Sequence, residues 1–242
     1  MKKFIFPFFA ALMLCSCGYF SGKRGGECDS DSVATCGEPE ECEEVSDYLH
    51  PDTQMFELFG NVKSMKLTKY YEVSPVGAIK DMDNSYVDKK LYFNRNGEFD
   101  TYNSDFSWRL PNPQFDRNGK EQITKVTWFV EDYGCDMSDI YEYDKRGMVK
   151  RCEAGGMESS GTMTFKYDER TNLVSAQDNS AGEGYVFRTD ITYTILETDA
   201  HLNWIKRLVK YDQQTGEDDG SGKFTESETY YEVEVRDIEY YE

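Results

Sequence analysis

From Val62 onward the apolar positions recur every second residue. In Thr162 to Asp168, Met163, Phe165 and Tyr167 share one face and polar residues take the other. Tyr185, Phe187, Thr189, Ile191, Tyr193 and Ile195 repeat this over a longer run. Val126, Trp128 and Val130 alternate, as do Met65 and Leu67 with Tyr71 and Val73. Tyr231, Val233 and Val235 line one face, whereas Ile238 and Tyr240 fall in the opposite phase, which predicts a bulge or break at Arg236-Asp237. A period of two with one wet face marks antiparallel strands. The one stretch at helical spacing is Thr53 to Phe59, where Met55, Phe56 and Phe59 fall together, Asp52 caps the start and Gly60 ends the run. The pattern predicts an all-β fold: an antiparallel meander of hairpins forming a curved or twisted sheet, with one short N-terminal helix plugging an open end.

A recurring turn separates these strands. It reads aromatic, Asp or Asn, two polar residues, Gly: Phe93-Asn94-Arg95-Asn96-Gly97, Phe115-Asp116-Arg117-Asn118-Gly119 and Tyr143-Asp144-Lys145-Arg146-Gly147. Looser copies run from Tyr167-Asp168 to Asn172 and from Tyr211-Asp212 to Gly216. The Asp or Asn side chain accepts bonds from backbone N–H groups further along the turn, and Gly, or Asn172, takes the left-handed position. The motif resembles the tyrosine-aspartate (YD, or RHS-like) repeat of bacterial envelope and secreted proteins. Asp199-Ala200-His201-Leu202-Asn203-Trp204 resembles the variant ending in Gly-Asn-Trp, with Leu202 replacing Gly, and Val235 to Tyr241 looks like a closing strand of small lipoproteins with such repeats. The resemblance covers residues 90 to 242. In large relatives such repeats wind into a hollow shell around a toxin. This chain has too few for that, and the resemblance brings no catalytic residues.

The chain start is different in kind. Lys2 and Lys3 precede an 11-residue apolar run, Phe4 to Leu14, too short for a bilayer span of about 20 residues. Leu14-Cys15-Ser16-Cys17 resembles the lipobox of bacterial lipoproteins. That resemblance implies a signal peptide over residues 1–16 and lipidation of Cys17. Its acyl chains would hold the protein in a membrane at about 0.8 kcal/mol per buried CH₂. Residues 17–50 then form a lipidated, acidic, disordered tether: Glu27 to Asp47 carries nine acidic residues and no Lys or Arg. Residues 51–242 are the all-β domain. The location this implies is the envelope of a Gram-negative bacterium, on the outer membrane, facing the periplasm or the cell surface.

Charge and chemistry narrow the function. With 27 Lys and Arg against 46 Asp and Glu the net charge is −19, which repels phosphate backbones and argues against a nucleic-acid partner. Seven cysteines include Cys28, Cys36 and Cys42 in the tether, whose spacing does not match a zinc site but permits a bridge, and Cys135 and Cys152, placed to face each other across a hairpin at Asp144–Gly147. Gly220-Ser221-Gly222-Lys223 lacks the first Gly and the Ser/Thr of a phosphate loop. Asp81-Met82-Asp83-Asn84-Ser85 starts like a calcium loop, but Tyr86 and Tyr92 replace its Gly and closing Glu. His201 sits in a turn and His50 in the tether. Trp108, beside Pro111 and Pro113, is the best exposed aromatic candidate for a sugar platform. No catalytic residue, metal or cofactor is expected. The favoured reading is a membrane-anchored, non-catalytic binding module, in contact with membrane lipid through Cys17 and with another envelope protein or a glycan. The alternatives are a carrier holding an apolar ligand in the curved sheet and a glycan hydrolase using a carboxylate pair.

Overall fold

The computed structural model describes residues 50–71, 73–79, 83–106, 113–131, 134–156, 159–182, 184–218 and 222–242. One short helix, α1 (Pro51–Met55), precedes twelve strands. They are β1 (Val62–Tyr70), β2 (Ser85–Tyr92), β3 (Asp105–Phe106), β4 (Gln114–Arg117), β5 (Ile123–Val130), β6 (Cys135–Tyr143), β7 (Val149–Gly155), β8 (Ser159–Tyr167), β9 (Leu173–Gly182), β10 (Tyr185–Thr198), β11 (Trp204–Glu217) and β12 (Glu226–Tyr240). All pair antiparallel in one sheet, in the order β3-β2-β1-β12-β11-β10-β9-β8-β7-β6-β5-β4. The all-β expectation holds. The first and last strands pair with each other inside the sheet, so the order is that of an up-and-down barrel opened at a single seam, between β3 and β4.

Five turns of one geometry lie at the same end of the sheet. Asn94, Asn118, Asp144, Asp168 and Asp199 each donate their backbone N–H to the carbonyl four residues on, and each carbonyl accepts from the N–H three residues on. Each side-chain Oδ1 accepts from the backbone N–H at the fourth position. The third position is left-handed in every copy: Gly97, Glu121, Gly147, Thr171 and Leu202. The fifth position is always a buried apolar residue: Phe99, Ile123, Val149, Leu173 and Trp204. Three sequence assignments change. The second turn starts at Asn118, not Asp116. In the fourth, Thr171 and not Asn172 is left-handed. Asp212 starts no turn, because β11 runs unbroken through it. Hydrogen-bonding side chains at several neighbouring positions make the register of such turns ambiguous from sequence. In the structure it is decided by which residue five places on reaches the core.

The α1 segment sits among these turns. His50, not Asp52, caps it: the imidazole Nδ1 accepts from the Asp52 N–H at 3.2 Å. The helix is one turn and ends at Met55, short of the Phe59 expected, since Glu57 is left-handed. This turns Met55, Phe56 and Leu58 into the core, whereas Phe59 is only part-buried. Asp52, fully buried, then joins the two sides of the seam. Its carboxylate accepts from the Phe99 N–H at 2.9 Å, just before β3, and takes a two-pronged bond from Arg117 of β4 at 2.6 and 2.8 Å. The Phe99 and Phe115 rings meet edge to face across the same gap, 5.9 Å apart. The expected hydrophobic plug is therefore present, and it also clamps the two free edges.

The inner face is not apolar throughout. No bulge occurs at Arg236-Asp237, and β12 pairs continuously there with β1. Tyr230, Glu232, Glu234, Arg236, Ile238 and Tyr240 all share the inner phase. Tyr231, Val233 and Val235 form a small outer cluster with Leu208, covered by Val73 and Ile79. The inner position after Leu67 in β1 is likewise Lys69, which replaces the expected Tyr71 and Val73. A buried ionic network follows. Arg207 bonds Glu234 at 2.6 Å and Glu57 at 3.0 Å, and Lys69 lies 3.4 Å from Glu234 and 3.9 Å from Asp88. Trp204 donates to Glu57 through Nε1. The Arg236 Cζ lies 3.5 Å from the centroid of the Trp204 ring, and the guanidinium donates to the Phe56 and Glu57 carbonyls. Cys135 and Cys152 are both free: Cys152 lies opposite Tyr141, whereas Cys135 pairs with Val130 at the far end of β6. The proposed contact across the hairpin does not form.

Candidate functional site

The hairpin ends at the side away from α1 frame a cavity of about 590 Å³. It is lined by residues of both strand phases of β7 to β10, Ala154, Gly161, Ser180 and Phe187 of the inner and Glu153, Thr162, Asn179 and Val186 of the outer, and Phe224 borders it from the β11–β12 loop. The four inner residues share a row because β7 to β10 pair in register: Ala154 faces Gly161, Gly161 faces Ser180, and Ser180 faces Phe187. Small side chains in three adjacent strands leave the space, and Phe187 and Phe224 supply apolar walls. Gly216 positions the loop. The carbonyl oxygen of Lys223 lies 2.1 Å from where a Cβ on Gly216 would stand, so only glycine permits this approach. The Thr225 N–H then bonds the Thr215 carbonyl at 2.8 Å and holds the loop down.

One row deeper, opposite Met163 and Thr189, lies Asp178. Two residues of extended chain separate it from Ser180, about 7 Å. It is 8 % exposed. The Ser180 hydroxyl donates to its Oδ2 at 3.4 Å, and its Oδ1 has no hydrogen-bond partner among the described residues. Burial pushes this carboxyl up to about 7, the Ser180 bond opposing the shift only in part. Asp139 of β6 is raised to about 6 for the same reason, with a bond from the Tyr141 hydroxyl at 3.2 Å acting against it. Glu232 of β12 is also raised by burial, against the pull of Lys69, and accepts from Tyr211 at 3.0 Å. Tyr211 stacks on Tyr230, rings 4.6 Å apart. The open half of the inner wall is thus carboxylate and phenol. Asp139 and Asp178 stand on strands three places apart, and neither is a cause of the other's shift, so they do not form the close couple a glycosidase mechanism uses. No three potential metal ligands converge among the described residues.

The sequence candidates are dispersed. Cys17, Cys28, Cys36 and Cys42 lie outside the described residues, as do Trp108, Pro111, Asp81 and Gly220-Ser221. Ser85 and Tyr86 open β2, not a calcium loop; Tyr86 points inward beside Lys69 and donates to Asp88. His50 caps α1, and His201 stacks on the Tyr240 ring at 4.1 Å. Gly222 and Phe224 border the cavity. Asp178 was not singled out by sequence. Its strand reads Leu-Val-Ser-Ala-Gln-Asp-Asn-Ser, without alternation, and a bulge beside Val174 shifts its phase between Leu173 and Ala176. No protein-family model matches the chain, and a search of curated proteins finds no similar one.

Proposed function

We propose that this chain is a non-catalytic envelope lipoprotein, anchored through Cys17, whose β domain holds a small ligand in the open end of its curled sheet. The cavity between Gly161, Ser180, Phe187 and Phe224 carries this reading: its volume falls within the range of small-molecule sites, and its walls combine two aromatic rings with a few polar groups. The polar lining residues Glu153, Ser160, Thr162, Asn179 and Ser180 favour a ligand with a polar end over a wholly apolar lipid cargo. The position of the chain start supports the same arrangement. Residue 50 enters at the plugged end, so a tether from Cys17 attaches there and the cavity faces the opposite way.

Two measurements test this. Labelled palmitate incorporated into the wild type and lost in Cys17→Ala supports the anchor, and equal labelling of both overturns it. A thermal-shift screen of the full-length protein against polar, charged and apolar small molecules should give stabilising compounds whose effect falls at least threefold in Phe224→Ala. A screen without any such compound removes the ligand-binding reading.

A further inference from the structure

We infer that the ligand of this cavity is a neutral saccharide, with the face of a sugar ring on Phe224 and its hydroxyl groups on Ser160, Thr162 and Asn179. This rests on the binding role just proposed and adds the chemical class of the ligand. Ser160, Thr162, Asn179, Ala181 and Val186 all belong to the outer phase of β8 to β10, opposite to the core residues Phe165, Ala176 and Ile191. The Lys223 carbonyl lies over Gly216, the outer-phase partner of Val186, so Phe224 stands on that same outer side. A ligand arriving from outside therefore meets Ala181 and Val186 as an apolar floor, with the three polar side chains beside it. The Phe224 ring is 40 % exposed, although its loop is pinned by Lys223 over Gly216 and by the Thr225 N–H on the Thr215 carbonyl at 2.8 Å. It is an uncovered aromatic ring on a fixed backbone at the edge of a cleft.

The polar groups here are donors and acceptors at once. A Ser or Thr hydroxyl and an Asn amide each do both, as sugar hydroxyls do. A cationic ligand would use only the acceptors and an anionic one only the donors. Thr162 and Asn179 are direct cross-strand partners, about 5 Å apart, and Ser160 lies about 7 Å from Thr162 along β8, so the three reach neighbouring hydroxyls of one small glycan. The backbone offers no other hooks. β8 and β9 are paired on both sides, so their N–H and C=O groups are engaged in the ladder, and a peptide strand cannot add there. Charge points the same way. Glu153 is the one charged side chain among the described lining residues, and Arg151 already holds it at 2.5 Å. With a net charge of −19 on the chain, sulfated and uronic sugars are repelled. Phe224 completes the fit: the C–H groups of a sugar ring carry a slight positive charge and pack on the negative face of an aromatic ring.

Binding of the full-length protein to an array of neutral, uronic-acid-bearing and sulfated oligosaccharides tests this. The expected result is retention on neutral oligosaccharides, with signals at least tenfold weaker on the charged ones. In titrations with the best neutral oligosaccharide, Asn179→Ala and Phe224→Leu should each weaken binding at least fivefold. Phe224→Trp, which keeps a ring face, should retain it, and Lys120→Ala, in a turn at the plugged end, should change nothing. No retained glycan, retention of charged glycans alone, or binding that survives both Asn179→Ala and Phe224→Leu overturns the saccharide. Compounds from the thermal-shift screen that depend on Phe224 would then keep the cavity as a site for another class of ligand, and their absence would remove the binding role as well. The comparison of neutral with charged glycans uses the unaltered protein, so it decides the matter whatever the variants do to folding.

Discussion

Leu202 occupies a left-handed backbone position, φ +68°, with its side chain 73 % exposed. An L-residue there carries a penalty of about 1–2 kcal/mol, and little burial is gained in return. Leu202→Gly should therefore stabilise the protein by about 1 kcal/mol, read as a higher urea midpoint at unchanged slope. Asp178 shows the opposite relation between residue and fold. Its carboxyl is raised from an ordinary 3.8 to about 7 in the folded chain, so folding takes up a proton between these values. The stability linked to it is complete below about pH 4 and is lost as pH rises through about 7. Asp178→Asn should hence raise the melting temperature relative to wild type at pH 8, by the equivalent of a few kcal/mol, with the advantage shrinking toward pH 4. An equal effect at both pH values would show that burial does not control this group.

At the scale of elements, the weak place is the seam. Two residues of β3 and four of β4 make poor edges, and Asp52 holds them through Arg117 and the Phe99 N–H. Removing one partner leaves a half-buried guanidinium and a buried N–H unmatched. Asp52→Ala should cost about 3 kcal/mol or more and speed hydrogen exchange at β4 and residues 93–99, leaving β9 to β11 protected. The β11–β12 loop is the second element with one decisive contact. A Cβ at Gly216 collides with the backbone carbonyl of Lys223. Gly216→Ala should lift the loop, carry Phe224 off the cavity and weaken any cavity ligand, with the circular dichroism of the sheet retained.

At the scale of the molecule, charge acts in two separate ways. Residues 50–242 hold 23 Lys and Arg against 37 Asp and Glu, and most of the excess lies on the surface. The Glu57, Arg207, Glu234, Lys69 and Asp88 network lies inside, where salt does not screen it. Raising the salt concentration from 0.02 to 0.5 M should therefore raise the melting temperature, because repulsion between surface acids weakens and the inner pairs persist. A fall would mean that exposed pairs such as Lys66–Asp237 dominate stability.

The sequence by itself determined the β class, the hairpin succession and the helical plug. Alternation and Asx turns are local rules, and Met163, Phe165, Tyr167 or Asp144 to Gly147 satisfy them with neighbours only a few residues away. Only the tertiary structure decided which face of each strand turned inward. The phase of β12 was read from Tyr231, Val233 and Val235 as the core side. The curled sheet put Glu232, Glu234 and Arg236 there instead, because Arg207, Lys69 and Glu57 arrive from three other segments to match them. Burial of a charge is favourable only with its partner in place, and those partners lie up to 179 positions away in the chain, as for Glu57 and Arg236. The same holds for the cavity: Gly161, Ser180 and Phe187 become one wall only when register aligns three strands.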